Sequence, residues 1–144
     1  MEEFVSNQIN LLKKNMQIYF NNQFKEFNLK SSEVKLIHIL SLIKGESQTE
    51  LAKMLDCDKA HIHRIVIKLL MKKIIYISNE KKENCRNLQI SLTEHGEEIS
   101  KKINKKMEEW QSKLIKGISY DEISTARTVL NKINENLSKE NKNV

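Results

Sequence analysis

The hydrophobic period of this chain changes twice between Lys59 and Ile99. In KAHIHRIVIKLLMKK the apolar residues Ile62, Ile65, Val66, Leu69 and Leu70 recur at steps of three and four, which predicts a helix with one core-facing side. From Ile75 the pattern becomes an alternation. Ile75 and Ile77 precede the polar stretch SNEKKENCRN, and Leu88, Ile90 and Leu92 follow it. That is a two-stranded hairpin with a long charged tip. The helical period then returns: Thr93 caps a long helix carrying Ile99, Ile103, Met107, Trp110 and Leu114, which ends at Gly117.

The flanking segments are helical too. Proline is absent and glycine occurs three times, so few sharp breaks are available. Residues 3–27 place Val5, Ile9, Leu12, Met16, Tyr19, Gln23 and Phe27 on one stripe, widened by Phe20 and Phe24. Ser31 or Ser32 caps a second helix whose apolar residues run nearly all the way round, which predicts burial on every side; Gly45 ends it. Ser47-Gln48-Thr49-Glu50 has the form of a capping box ahead of the short helix TELAKML. Asp56-Cys57-Asp58 is the turn, with Asp58 as the next cap. A second capping box, Ser119 to Glu122, opens a last helix with a narrow seam of Ile123, Ala126, Leu130, Ile133 and Leu137. The fold class expected is mainly α with a small β-hairpin wing. It is a winged helix-turn-helix with long N- and C-terminal helices in one domain, residues 1–144.

Charge is concentrated in one place. Between Lys59 and Arg86 stand eight bases (Lys59, Arg64, Lys68, Lys72, Lys73, Lys81, Lys82, Arg86) and two acids (Glu80, Glu83). Their balance equals the +6 of the whole chain, so the remainder is neutral. One basic segment in a neutral frame implies a polyanion, nucleic acid ahead of a membrane surface. The run CDKAHIH looks at first like a metal site. His61 and His63 are two positions apart, however, and on a helix they point about 200° apart, so they cannot share an ion. No metal site is expected.

On a helical wheel Ala60, Arg64, Ile67, Lys68 and Met71 lie opposite the core face, with His61 near that face and His63 on its flank. An α-helix fits the major groove and meets base edges with its N-terminal residues. Ala60 suits a thymine methyl, His61 a purine N7 or a phosphate, and Arg64 a guanine or phosphates. Lys68 and Lys72 suit phosphate. Gln48, Lys59 and His63 complete the helical set, and Lys81, Lys82 and Arg86 at the hairpin tip suit the minor groove. The competing reading is a merely solvated face. Ile67 and Met71 argue against it, because apolar groups there call for a partner.

These residues resemble the MarR family of regulators. SQTELAKML is similar to the family's helix before the turn, and IHRIVIKLLMKKII to its recognition helix, with Arg64 at the usual arginine. NCRNLQISLTEHG is similar to the wing's return strand and the start of the next helix, matching at Arg86, Leu92, Thr93 and Gly96. The chain departs from the family at three positions: Asn84 stands for Asp, Lys73 for the Gly that ends the recognition helix, and His63 for Thr. The resemblance implies a homodimer, with residues 31–92 as the winged lobe and residues 1–28 and 93–140 as dimerisation helices. Two recognition helices would read a near-palindromic double-stranded DNA operator. It also implies a repressor released by a small anionic or phenolic compound, an oxidant or a metal. By position, Met16, Tyr19, Phe20 and His38 line the expected effector pocket. His38 and His95 are weak candidates for a metal signal.

Two cysteines, Cys57 and Cys85, make no disulfide framework, and the bases near Cys85 would lower its thiol pKa. The N-terminus lacks the form of a signal peptide and no apolar run approaches the ~20 residues needed to span a bilayer, so a cytoplasmic protein is expected. No catalytic arrangement, phosphate loop or cofactor motif stands out. The second hypothesis is a winged-helix module that binds protein and not DNA.

Overall fold

The computed structural model describes residues 2–79 and 88–143, with side chains from residue 5 onward. The helices are α1 (Glu2–Phe24), α2 (Ser31–Ile43), α3 (Gln48–Met54), α4 (Lys59–Met71), α5 (Glu94–Leu114) and α6 (Tyr120–Lys142). The strands are β1 (Glu46–Ser47), β2 (Ile75–Ser78) and β3 (Gln89–Leu92). A 3-10 turn, Lys25–Phe27, follows α1. Two compact units are formed, Met1–Met107 and Glu108–Val144.

The first unit holds the core. Val34, Leu36, Ile37 and Leu40 of α2 are buried, as are Leu51 and Ala52 of α3, and Ile62, Ile65, Val66 and Leu69 of α4. Phe20 and Phe24 close it from α1, their ring centroids 4.5 Å apart. Ile103 closes it from α5. Burial of α2 is not complete: Leu42 is exposed.

The sheet has three strands, not the expected two, in the order β1-β3-β2 with both pairings antiparallel. Strand β1 is two residues long, too short for any alternation to show in sequence. The register pairs Ile75 with Leu92 and Ile77 with Ile90. The alternation predicts that Ile75 and Ile77 both face inward. Ile75 is buried, but Ile77 and Leu88 are exposed, although Ile90 and Gln89 of the central strand beside them are buried.

Local chemistry sets the helix ends. Asp58 caps α4, its carboxylate accepting from the His61 N–H at 2.7 Å. Ser47 caps α3 by accepting from the Glu50 N–H. The reciprocal half of that box is made by Glu46, which accepts from the Ser47 N–H at 2.7 Å, while Glu50 pairs with Lys53. Neither Ser31 nor Ser32 caps α2. Its cap position is Lys30, whose N–H donates to the buried Glu33 carboxylate at 2.6 Å. At α6 the box from Ser119 to Glu122 is complete. The Ser119 backbone N–H, and then its hydroxyl, hold the Glu122 carboxyl below its usual range.

The junction from α4 to β2 explains why a Leu-Thr pair and a glycine occur together. The Thr93 hydroxyl donates to the Lys73 carbonyl at 2.6 Å and accepts from the Gly96 N–H at 3.0 Å. The Thr93 N–H donates to the Ile74 carbonyl. Lys73 itself takes the left-handed conformation, φ 56°, that a glycine would adopt without strain. Lys73→Gly is therefore expected to stabilise the fold by about 0.5–1 kcal/mol, the left-handed penalty less the added entropy of the unfolded chain. Urea unfolding measures it; a lower midpoint for the variant would contradict the argument.

Candidate nucleic-acid interface

Helix α4 divides into two sides. Ile62, Ile65, Val66 and Leu69 are buried, and Lys59, Ala60, His63, Arg64, Ile67, Lys68 and Met71 are exposed. The Asp58 cap fixes where α4 begins, and the core residues fix its rotation. Arg64 and His63 are thereby held outward on a rigid element. No acidic residue stands between Lys59 and Met71.

Several expected groove residues sit elsewhere. His61 is half-buried and turned toward α2. It lines a pocket of about 270 Å³ with Ser31, Ser32, Lys35, Cys57 and Ile65. The two histidines thus exchange the places expected of them: His63 is outward, because it lies nearer the exposed meridian set by the core face. Lys72 is tied inward. Its ammonium donates to the Asn28 carbonyl at 3.0 Å and lies 3.7 Å from a Glu33 carboxylate oxygen, an ion-pair distance but not a hydrogen bond. Gln48 is half-buried in a small hollow with Ser47, Thr49, Ile77, Leu88 and Ile90. Lys81, Lys82 and Arg86 lie outside the described residues, as does Cys85.

The expected effector residues do not line the cleft that adjoins Lys68 and Lys72. A cleft of about 780 Å³ is bounded by Gln17, Asn21, Lys25, Asn28, Leu29, Lys30, Ser31, Glu33, Lys68 and Lys72. Met16, Tyr19, Phe20 and His38 are not among these. Phe20 is core, for α1 rotates its aromatic face into α2. The Tyr19 hydroxyl is buried without a hydrogen-bond partner among the described residues. His38 joins a polar contact with α5, its Nδ1 2.7 Å from Asn104 Oδ1. Sequence reasoning missed the cleft because its walls are polar and lysine-rich, so they carry no apolar signature. Among the described residues no group of three or more His, Cys, Asp or Glu is placed to hold a metal.

Cys57 has the character of a structural thiol. Partial burial pushes it up, and the Asp58 and Asp56 carboxylates add to that, against a smaller opposing hydrogen bond from the Ile62 backbone. Its thiolate fraction at neutral pH is therefore below that of a free cysteine. Alkylation by iodoacetamide at pH 8, followed at the Cys57 peptide, is expected to be slower than for glutathione, given that rates track the thiolate fraction. Equal or faster reaction would refute this.

No family model matches the sequence, and no curated protein does. Among solved structures, S. aureus MepR in complex with DNA superposes with a TM-score of 0.81 at 19% identity, over 92% of this chain and 97% of that one. The fold is that of the MarR-type regulators. A MarR mutant from E. coli complexed with operator DNA gives a TM-score of 0.77 at 18% identity, over 90% of this chain and 92% of that one. A MarR-family regulator from Listeria monocytogenes, complexed with DNA, gives 0.75 at 24% identity over 93% of this chain and 89% of that one. In the MarR-type fold α3 and α4 are the helix-turn-helix and β2 and β3 form the wing. No helix among the described residues is long and apolar enough to cross a membrane.

Proposed function

We propose that this chain is a DNA-binding transcriptional regulator that acts as a homodimeric repressor on a near-palindromic operator. The observation that carries this reading is the exposed face of α4, where Lys59, His63 and Arg64 stand outward with no acid among them. It lies in a fold shared with regulators crystallised on DNA.

Dimerisation is supported by apolar residues that a lone chain leaves in water. On α1 these are Val5, Ile9 and Leu12, and on the α6 seam Leu130 and Leu137. A second copy would cover them and set two α4 helices about one turn of DNA apart. Release by a ligand is supported by the lysine-rich cleft, since Lys68 belongs to α4 and Lys72 is the residue that caps its C-terminus. An anion seated there would act directly on the recognition helix.

The test is selection of bound fragments from genomic DNA by the purified protein, followed by Kd measurement with Arg64→Ala. A duplex fragment should be selected, and the variant should bind it at least tenfold more weakly, as loss of an arginine contact in each half-site requires. Tight binding that ignores Arg64, or a monomer by sedimentation, would overturn the reading and favour a protein-interaction module.

A further inference from the structure

The middle of the exposed α4 face is apolar. At 100° per residue Ala60, Ile67 and Met71 fall within about 40° of one another, along a single line down the helix. Arg64 and Lys68 border that line on one side, Lys59 and His63 on the other. Ile67 is 42% exposed and Met71 78% exposed. Neither serves the core, which takes Ile62, Ile65, Val66 and Leu69 from this helix.

A narrow apolar strip with cations along both edges matches one surface of duplex DNA. In the major groove the thymine C5-methyl groups project from the floor, and the phosphates line the walls. Ile67 has no polar side-chain atom, and neither does Ala60. At those positions the helix cannot exchange hydrogen bonds with a base edge; it can only cover a methyl group or leave polar base atoms dehydrated and unpaired. The second outcome is unfavourable, which makes the strip selective. A protein partner would also accept an apolar strip, but it would not call for bases along both edges.

We infer that Ala60 and Ile67 read thymine methyl groups, so that each half-site carries A·T pairs at two fixed positions. The inference rests on the DNA-binding reading above and names what that same face recognises. Seven residues at 1.5 Å per residue separate the two side chains by about 10.5 Å. At about 3.4 Å per base pair the two thymines stand about three base pairs apart. Met71 lies a further turn toward the C-terminus, beyond the N-terminal part of a recognition helix that meets base edges, and takes no base here.

The test needs no change to the protein. In the tightest-binding genomic fragment each thymine is replaced in turn by deoxyuridine. This removes the C5-methyl group and leaves every hydrogen-bonding atom in place. At two positions per half-site, about three base pairs apart, Kd should rise about fourfold per methyl lost, and about fifteen-fold when both half-sites are changed together. Ile67→Ala should bind the unmodified fragment more weakly and become indifferent to deoxyuridine at one of those positions. Ile67→Val should keep the sensitivity. If the wild-type protein binds the fragment and every deoxyuridine leaves Kd within twofold, the inference is wrong. It is equally wrong if Ile67→Ala retains the full pattern of sensitivity. Failure to bind any duplex fragment would instead overturn the DNA-binding reading, and this inference with it.

Discussion

Gly96→Ala is expected to destabilise the protein by about 3 kcal/mol, at the upper end of what overpacking does. Gly96 is buried in the first turn of α5. A Cβ built there would collide with the Ile74 carbonyl oxygen, and it would also press on the Ile74 carbonyl carbon at 3.1 Å and Leu92 Cβ at 3.3 Å. Two of those three atoms are backbone and cannot rotate aside. Ile74 is itself pinned: its N–H donates to Leu69 and its carbonyl accepts from Thr93, both at 3.0 Å. Relief would require α5 to withdraw from the end of α4 and to break the Thr93 hydrogen bonds on the way. Gly117 is the internal control, with nothing within 4 Å of its ideal Cβ. At φ 79° its replacement by alanine should lose only the left-handed preference, about 1 kcal/mol. Urea unfolding of both variants separates the two cases. If the two midpoints fall equally, the packing argument is wrong.

DNA affinity is expected to fall by about 10³ between 50 and 200 mM salt. Lys59, Arg64 and Lys68 supply about three phosphate contacts per protomer in this reading, and hence about six per dimer. Releasing about 0.9 counterion per contact gives a slope of about −5 in log Kobs against log salt. Lys72 is left out, because the Asn28 carbonyl and Glu33 already hold it. Arg64→Ala removes two contacts from the dimer and should flatten the slope by about 2. Anisotropy titrations at four salt concentrations measure both quantities. A wild-type loss below tenfold, or an unchanged slope in the variant, would show that these cations do not face phosphate.

Much of this architecture was legible in the sequence. The core side of α4 follows from five apolar residues at helical spacing, since a helix must bury such a stripe. Asp58 and Ser119 were legible as caps, because a short polar side chain there satisfies an N–H that no carbonyl of the helix can reach. The alternation around Ile90 announced a strand for the same reason: one face of it had to leave water.

What could not be read depends on contacts between distant segments. Strand β1 exists only because β3 offers it hydrogen bonds. Lys72 looked like a free cation, since nothing near it in sequence reveals that Glu33 and the Asn28 carbonyl stand across from it. The expected effector residues were placed by position alone. Phe20 is core, and a cleft forms along the polar side of α1, at Gln17 and Asn21.

The sequence by itself determined the order of helices and strands, and which side of α4 is apolar. Those follow from local periodicity and from backbone groups that need partners within a few residues. Only the tertiary structure decided which cations stay outward and why residue 96 has no side chain. Each of those depends on atoms brought together from 19 to 44 residues away, such as Thr93 with Ile74 and Lys72 with Asn28. No local rule carries information over that separation.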